Sequence, residues 1–203
     1  ATRADVGRPY GPLSRQKLDV YAPRKAKAPA PVAVFFYGGS WDSGRWQDYR
    51  WAGQALAAQG YLTLVPDYRI YPEVTYPGFL EDGAMAVKWA VDHAGALGGD
   101  PGRIVLIGHS AGAYNAVMLG FDHRYLKAQG VDPRDIKAVA GLSGPYDFIP
   151  LDGPITRRTF GGGVASSKCK NRRWLHQRYA SLFVVAAAFA QHHAAEGEGS
   201  NYF

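Results

Sequence analysis

The pentapeptide Gly108-His109-Ser110-Ala111-Gly112 constrains this chain more than any other stretch, because of what flanks it. Before it runs Ile104-Val105-Leu106-Ile107, short, apolar and β-branched, as a strand buried in a parallel sheet reads. After it, Ala111 to Leu119 carries apolar residues at helical spacing. A chain that passes from strand to helix so abruptly must turn sharply, and Gly-x-Ser-x-Gly places glycines where neighbouring backbone leaves no space for a Cβ. Such a turn presents the Ser110 hydroxyl at a helix N-terminus, where the Ala111 amide can face a developing oxyanion.

The surrounding segments repeat the alternation of strand and helix. Lys17 to Tyr21 and Tyr61 to Val65 read as strands, Val32 to Tyr37 as a strand buried on both faces, and Ile136 to Leu142 as another. Helical spacing runs through Trp46 to Gln59, closed by Gly60, and through Phe79 to His93, with Glu81 and Asp82 expected on the solvated side of the latter. Pro23 to Pro31 reads as a solvated loop. This order implies an α/β fold with a mostly parallel sheet flanked by helices. Neither an internal repeat nor an interdomain linker is visible in the sequence.

Composition removes several function classes. With 203 residues the chain has the length of one domain. The net charge of +6 comes from scattered rather than clustered basic residues, so no nucleic-acid partner is expected. The single cysteine, Cys169, excludes an internal disulfide and a cysteine-based metal site; no metal or other cofactor is implied. The longest apolar run, Leu182 to Ala190, is about half of a membrane span. The first residue is alanine, which leaves open a removed leader and, with it, either a cytoplasmic or an exported location.

A second glycine-rich stretch, Phe36-Tyr37-Gly38-Gly39-Ser40-Trp41, follows the first buried strand and offers further amide donors. Together with Leu18 to Pro23 (LDVYAP), Pro66 to Glu73 (PDYRIYPE) and GHSAG, it resembles the α/β-hydrolase superfamily over about residues 17–160. The likeness is to esterases related to hormone-sensitive lipase, to BD-FAE-like feruloyl and acetylxylan esterases and to kynurenine formamidase. That resemblance implies a small-molecule ester (or amide) substrate and an acyl-Ser110 intermediate. It also implies an oxyanion hole from the amides of Gly39, Ser40 and Ala111, with Tyr37 and Gly38 supporting the loop. Tyr37 stands where such relatives usually carry histidine. Tyr71, Trp41 and Tyr146 suggest an aromatic-lined site.

The superfamily orders its triad as serine, acid, histidine along the chain. After Ser110 stand Asp122, Asp132, Asp135, Asp147, Asp152, Glu196 and Glu198, and His123, His176, His192 and His193. The two glutamates precede no histidine and fail the order. Ser143 to Phe148 (SGPYDF) resembles the loop after the sixth strand of such esterases, where a residue placed like Asp147 more often shapes the loop or the acyl pocket than serves as the triad acid. Asp147 and His176, the latter in a segment that resembles nothing in the family, stay as candidates, while His109 is expected to point away from Ser110 and His123 to lie at the surface. His192-His193 reads as a solvated helix end rather than a metal pair, because adjacent helical residues diverge by about 100°.

All prolines lie at or before Pro154 and all aspartates at or before Asp152, and the stretch from about Gly162 resembles nothing in the family. Two readings follow: a loop and helix from about Arg172 to Ala195, or a frameshifted or truncated frame that replaces the last strands of the hydrolase core. The second implies an exposed sheet edge open to self-association and a catalytically silent chain, or a binding protein using the acyl pocket. In a third arrangement, a tail helix with Trp174, Leu175, Leu182 and Phe183 covers the edge and brings His176 near Ser110.

Overall fold

The computed structural model describes residues 3–24, 29–146, 151 and 153–161. Six strands form one sheet in the order β1-β2-β4-β3-β5-β6, with β1 spanning Arg3–Pro9, β2 Lys17–Ala22, β3 Ala30–Phe36, β4 Leu62–Pro66, β5 Gly99–His109 and β6 Ile136–Leu142. The β1–β2 and β2–β4 pairs are antiparallel, and the β4–β3, β3–β5 and β5–β6 pairs are parallel. The expected mostly parallel sheet is therefore present, with an antiparallel flank on the N-terminal side. Among the described residues, β6 pairs with β5 alone.

Alternation along β3 explains why its whole length is apolar. Val32, Val34 and Phe36 join the large core formed with α2 (Gly78–His93) and α3 (Ala111–Phe121), whereas Phe35 joins Tyr21, Val65, Ala52 and Ala57 under α1 (Arg50–Ala58). Both faces of a central strand are thus covered, as in parallel sheets generally. Small residues let α1 approach closely: a Cβ on Gly53 would collide with the Tyr21 ring. The short helices α4 (Arg124–Ala128) and α5 (Pro154–Phe160) complete the α-helices among the described residues.

Two features depart from the sequence expectation. Strand β1 has no clear apolar alternation and is held by its pairing with β2. Asp82, expected on the solvated side of α2, is completely buried, while Glu81 is exposed as expected. The Asp82 carboxylate accepts from Gln16 Nε2 at 2.8 Å and from the backbone N–H, Nε and Nη2 of Arg69 at 2.9, 2.8 and 2.8 Å. Four N–H donors turn a charge that helical periodicity places near the surface into a buried tie between the β1–β2 connection, the β4–α2 connection and α2.

Removing one partner of such a cluster strands the others in the core. Asp82→Ala is expected to lower unfolding free energy by about 3 kcal/mol, measured by urea denaturation, whereas Glu81→Ala on the exposed side should leave the midpoint unchanged.

Candidate active site

Ser110 sits between β5 and α3 with φ 53° and ψ −121°, a conformation that side chains adopt only when their surroundings enforce it. The enforcing contacts are backbone. A Cβ on Gly108 would collide with the carbonyl of Gly112, and a Cβ on Gly112 with the carbonyl oxygens of Phe36 and Tyr37. The Ser110 amide donates to Leu142 O at 2.8 Å, which fixes the turn to the end of β6. Among the described residues, the non-glycine positions with positive φ are Ser40, Trp41, Ser110 and Ser143, all just beyond the carboxyl ends of β3, β5 and β6. Strain is concentrated at one end of three neighbouring strands, where open α/β sheets bind ligands.

The Gly38–Gly44 loop lies against the turn. A Cβ on Gly38 would stand 2.9 Å from Ser110 Cβ and 2.9 Å from His109 O, so only glycine brings this loop so near the serine. Gly39 has φ 147°, and its carbonyl accepts from Asp42 N at 3.1 Å and from Ser43 N and Ser43 Oγ, each at 2.9 Å. The amides of Gly39, Ser40 and Ala111 donate to no other described residue. The loop expected to supply oxyanion donors is thus packed against the residue expected to be the nucleophile, with Gly38 making the contact.

A buried polar network holds the loop at its start. Tyr37 OH donates to Asp67 Oδ1 at 2.6 Å, Arg15 Nη1 approaches the same oxygen at 3.1 Å, and Tyr68 N donates to it at 3.0 Å. Tyr68 OH donates to the Tyr37 carbonyl at 2.7 Å, and the two rings stack with centroids 4.5 Å apart. Burial raises the Asp67 carboxyl against the lowering effects of Tyr37 and Arg15. Burial likewise pushes the Tyr37 and Tyr68 phenols far above their ordinary range, with the neighbouring Asp67 adding to both. Asp67, Tyr68 and Arg15 were not singled out from sequence; the DYR within PDYRIYPE is the signal that marks the first two.

Trp41 holds the loop at its middle. It is 2% exposed, so it supports the loop from beneath rather than lining an open site. Its Nε1 donates to Asn115 Oδ1 at 3.0 Å, its carbonyl accepts from Tyr71 N at 2.7 Å, and its ring packs against Phe79, Tyr114 and Phe160. Phe160, from α5, also stacks on Tyr76, whose amide donates to Thr159 O at 2.7 Å. Tyr146 is 38% exposed, and its hydroxyl lies where a Cβ on Gly141 would stand.

The described histidines occupy other roles. His109 Nδ1 is 2.8 Å from Tyr49 OH and so is engaged by that phenol. His93 stacks on Trp89 at the end of α2. His123 precedes α4, at the opposite end of α3 from Ser110 and about 16 Å away by helix rise. Among the described residues, no histidine or acid hydrogen-bonds the Ser110 hydroxyl. The candidates Asp147 and His176, together with Asp152, His192, His193 and the tail from Gly162, lie outside the described residues. No helix among the described residues is long and apolar enough to cross a membrane, and no group of metal-ligating side chains occurs among them.

A family model described as BD-FAE matches residues 18–188. The chain belongs to the BD-FAE family of α/β-hydrolase esterases. This BD-FAE chain is 35% identical over 146 residues to the probable isoprenylcysteine alpha-carbonyl methylesterase ICME of Oryza sativa subsp. japonica, covering 70% of this chain and 35% of the relative. It is 36% identical over 111 residues to carboxylesterase NlhH of Mycobacterium tuberculosis, covering 54% and 35%. It spans about a third of the length of these curated relatives. Esterase B from Lactobacillus rhamnosis shares the fold, with a TM-score of 0.69 at 23% identity over 81% of this chain and 59% of that one.

The BD-FAE chain's buried phenols generate a pH prediction. Tyr21 is raised to about 12, chiefly by burial and then by Asp19. A folded-state value above the unfolded one of about 10 means that its stabilising contribution is complete below that pH and is lost as pH rises through about 12. Tyr37 and Tyr68 act in the same direction. Alkaline titration followed by tyrosinate absorbance should show these phenols ionising only as the circular dichroism signal is lost. Tyr37→Phe should remove one late-ionising phenol and lower stability by about 1 kcal/mol.

Proposed function

We propose that the protein is a serine carboxylic ester hydrolase in which Ser110 forms an acyl intermediate. The observation that carries this reading is the placement of Ser110, at φ 53° beside Gly38, next to the loop whose Gly39 and Ser40 amides, like that of Ala111, donate to no other residue among the described ones. Membership of the BD-FAE family and the similarity to methylesterases and carboxylesterases support an ester as the bond cleaved.

In the first step Ser110 Oγ attacks the ester carbonyl carbon while a histidine base takes the hydroxyl proton. The negative charge that develops on the carbonyl oxygen is met by the amides of Ala111, Gly39 and Ser40. These donors are preorganised by α3 and by the anchors at Tyr37 and Trp41 on either side of Gly39 and Ser40, so little reorganisation is needed as the charge forms. Collapse of the tetrahedral intermediate expels the alcohol, which takes the proton from the histidine. Water then repeats the sequence on the acyl-serine and releases the acid.

The base and the acid that orients it come from outside the described residues, with His176 and Asp147 as this chain's own candidates. The aromatic residues Tyr71 and Tyr146 border the same strand ends and favour small esters with an apolar acyl or alcohol group.

Hydrolysis of p-nitrophenyl acetate tests the reading. The wild-type chain is expected to turn over with a rate lowered about 10³-fold or more by Ser110→Ala, and His176→Ala should produce a similar loss if His176 is the base. Equal rates for wild type and Ser110→Ala would overturn the assignment.

A further inference from the structure

Asn115 is an unusual residue for its position. It lies inside α3, with no exposed surface, where the helix packs into the apolar core. Its Oδ1 accepts from Trp41 Nε1, and its Nδ2 is the buried side-chain polar atom without a hydrogen-bond partner among the described residues. Leucine would favour the helix more and leave no orphaned amide. A polar side chain retained at a cost to stability is explained by what it holds.

What it holds is the middle of the Gly38–Gly44 loop, through Trp41. Ser40 and Trp41 are consecutive non-glycine residues in the left-handed region, with φ 50° and 61°. Such a pair persists only when its surroundings determine it. The Tyr71 amide binds the Trp41 carbonyl and the Asn115 oxygen binds its indole, so the residue is gripped at both ends. Asn115 and Ser110 belong to the same rigid unit, Ser110 as the N-cap of α3 and Asn115 within it.

We propose that Asn115 is a positioning residue for catalysis: through the Trp41 indole it ties the loop bearing the Gly39 and Ser40 amides to the helix that presents Ser110. The inference rests on the esterase reading above. Asn115 acts through Trp41, so its removal displaces the oxyanion donors relative to the nucleophile. Those donors interact more strongly with the transition state than with the bound ester, and the loss falls on kcat with KM little changed.

The experiment compares wild type, Trp41→Phe, Asn115→Leu and the double variant, all in the full chain, for p-nitrophenyl acetate kinetics and thermal stability. Each single variant breaks the bond and leaves or creates a mismatch, so both should melt below wild type. The double variant removes both polar partners and should regain most of the wild-type Tm. The expected result is kcat reduced about 10- to 100-fold in the double variant, with KM within about twofold of wild type. Trp41→Phe, which keeps an aromatic ring and loses only the donor, gives the same reading should Asn115→Leu not fold. Wild-type kcat in the folded double variant, or kcat losses that merely follow Tm, would overturn the role of Asn115 alone. A wild type no faster than Ser110→Ala would overturn the esterase reading and this inference together.

Discussion

The site depends on the contact between the end of β3 and the start of α3. Phe36 and Tyr37 place their carbonyl oxygens where a side chain on Gly112 would begin, and the Gly112 carbonyl occupies the corresponding space at Gly108. Because neither position admits a Cβ, β5 can pass into α3 with Ser110 forced into a strained conformation at the junction. The same approach brings Gly38 against Ser110 Cβ. One close packing of backbone on backbone therefore sets the serine's geometry and delivers the glycine loop to it.

That loop is then fixed at two points by different chemistry. At its start, Tyr37 is tied to Asp67, itself paired with Arg15 and capped by the Tyr68 amide, so a buried carboxylate organises residues from three separate segments. At its middle, Trp41 is locked by aromatic packing and by Asn115. The Tyr37 phenol supports the loop through Asp67. Preorganised amide donors matter most when they need not move as charge develops.

Much of this was legible in the sequence because it is local. The β5 strand, the glycine-serine turn and the α3 helix are contiguous, and each has its own periodicity or steric requirement. The double-faced burial of β3 likewise follows from its unbroken apolar run. The supporting residues were not legible in the same way. Asp82 sits beside Glu81 on a helix, yet only the fold brings Gln16 and Arg69 to it. Asp67 and Asn115 gain their meaning from Arg15 and Trp41, partners separated from them by 52 and 74 positions. Strand β1 has little apolar signal of its own and depends on β2 for its pairing.

Membership of an esterase family and the strained placement of Ser110 both support the proposal of covalent catalysis at this serine. The most direct measurement is the location of a fluorophosphonate adduct by peptide mass spectrometry after reaction with the folded chain. The account predicts one phosphonyl group per chain, carried by the peptide containing Ser110 and lost on prior unfolding. An unmodified Ser110, or an adduct on another residue such as Ser143, would contradict it.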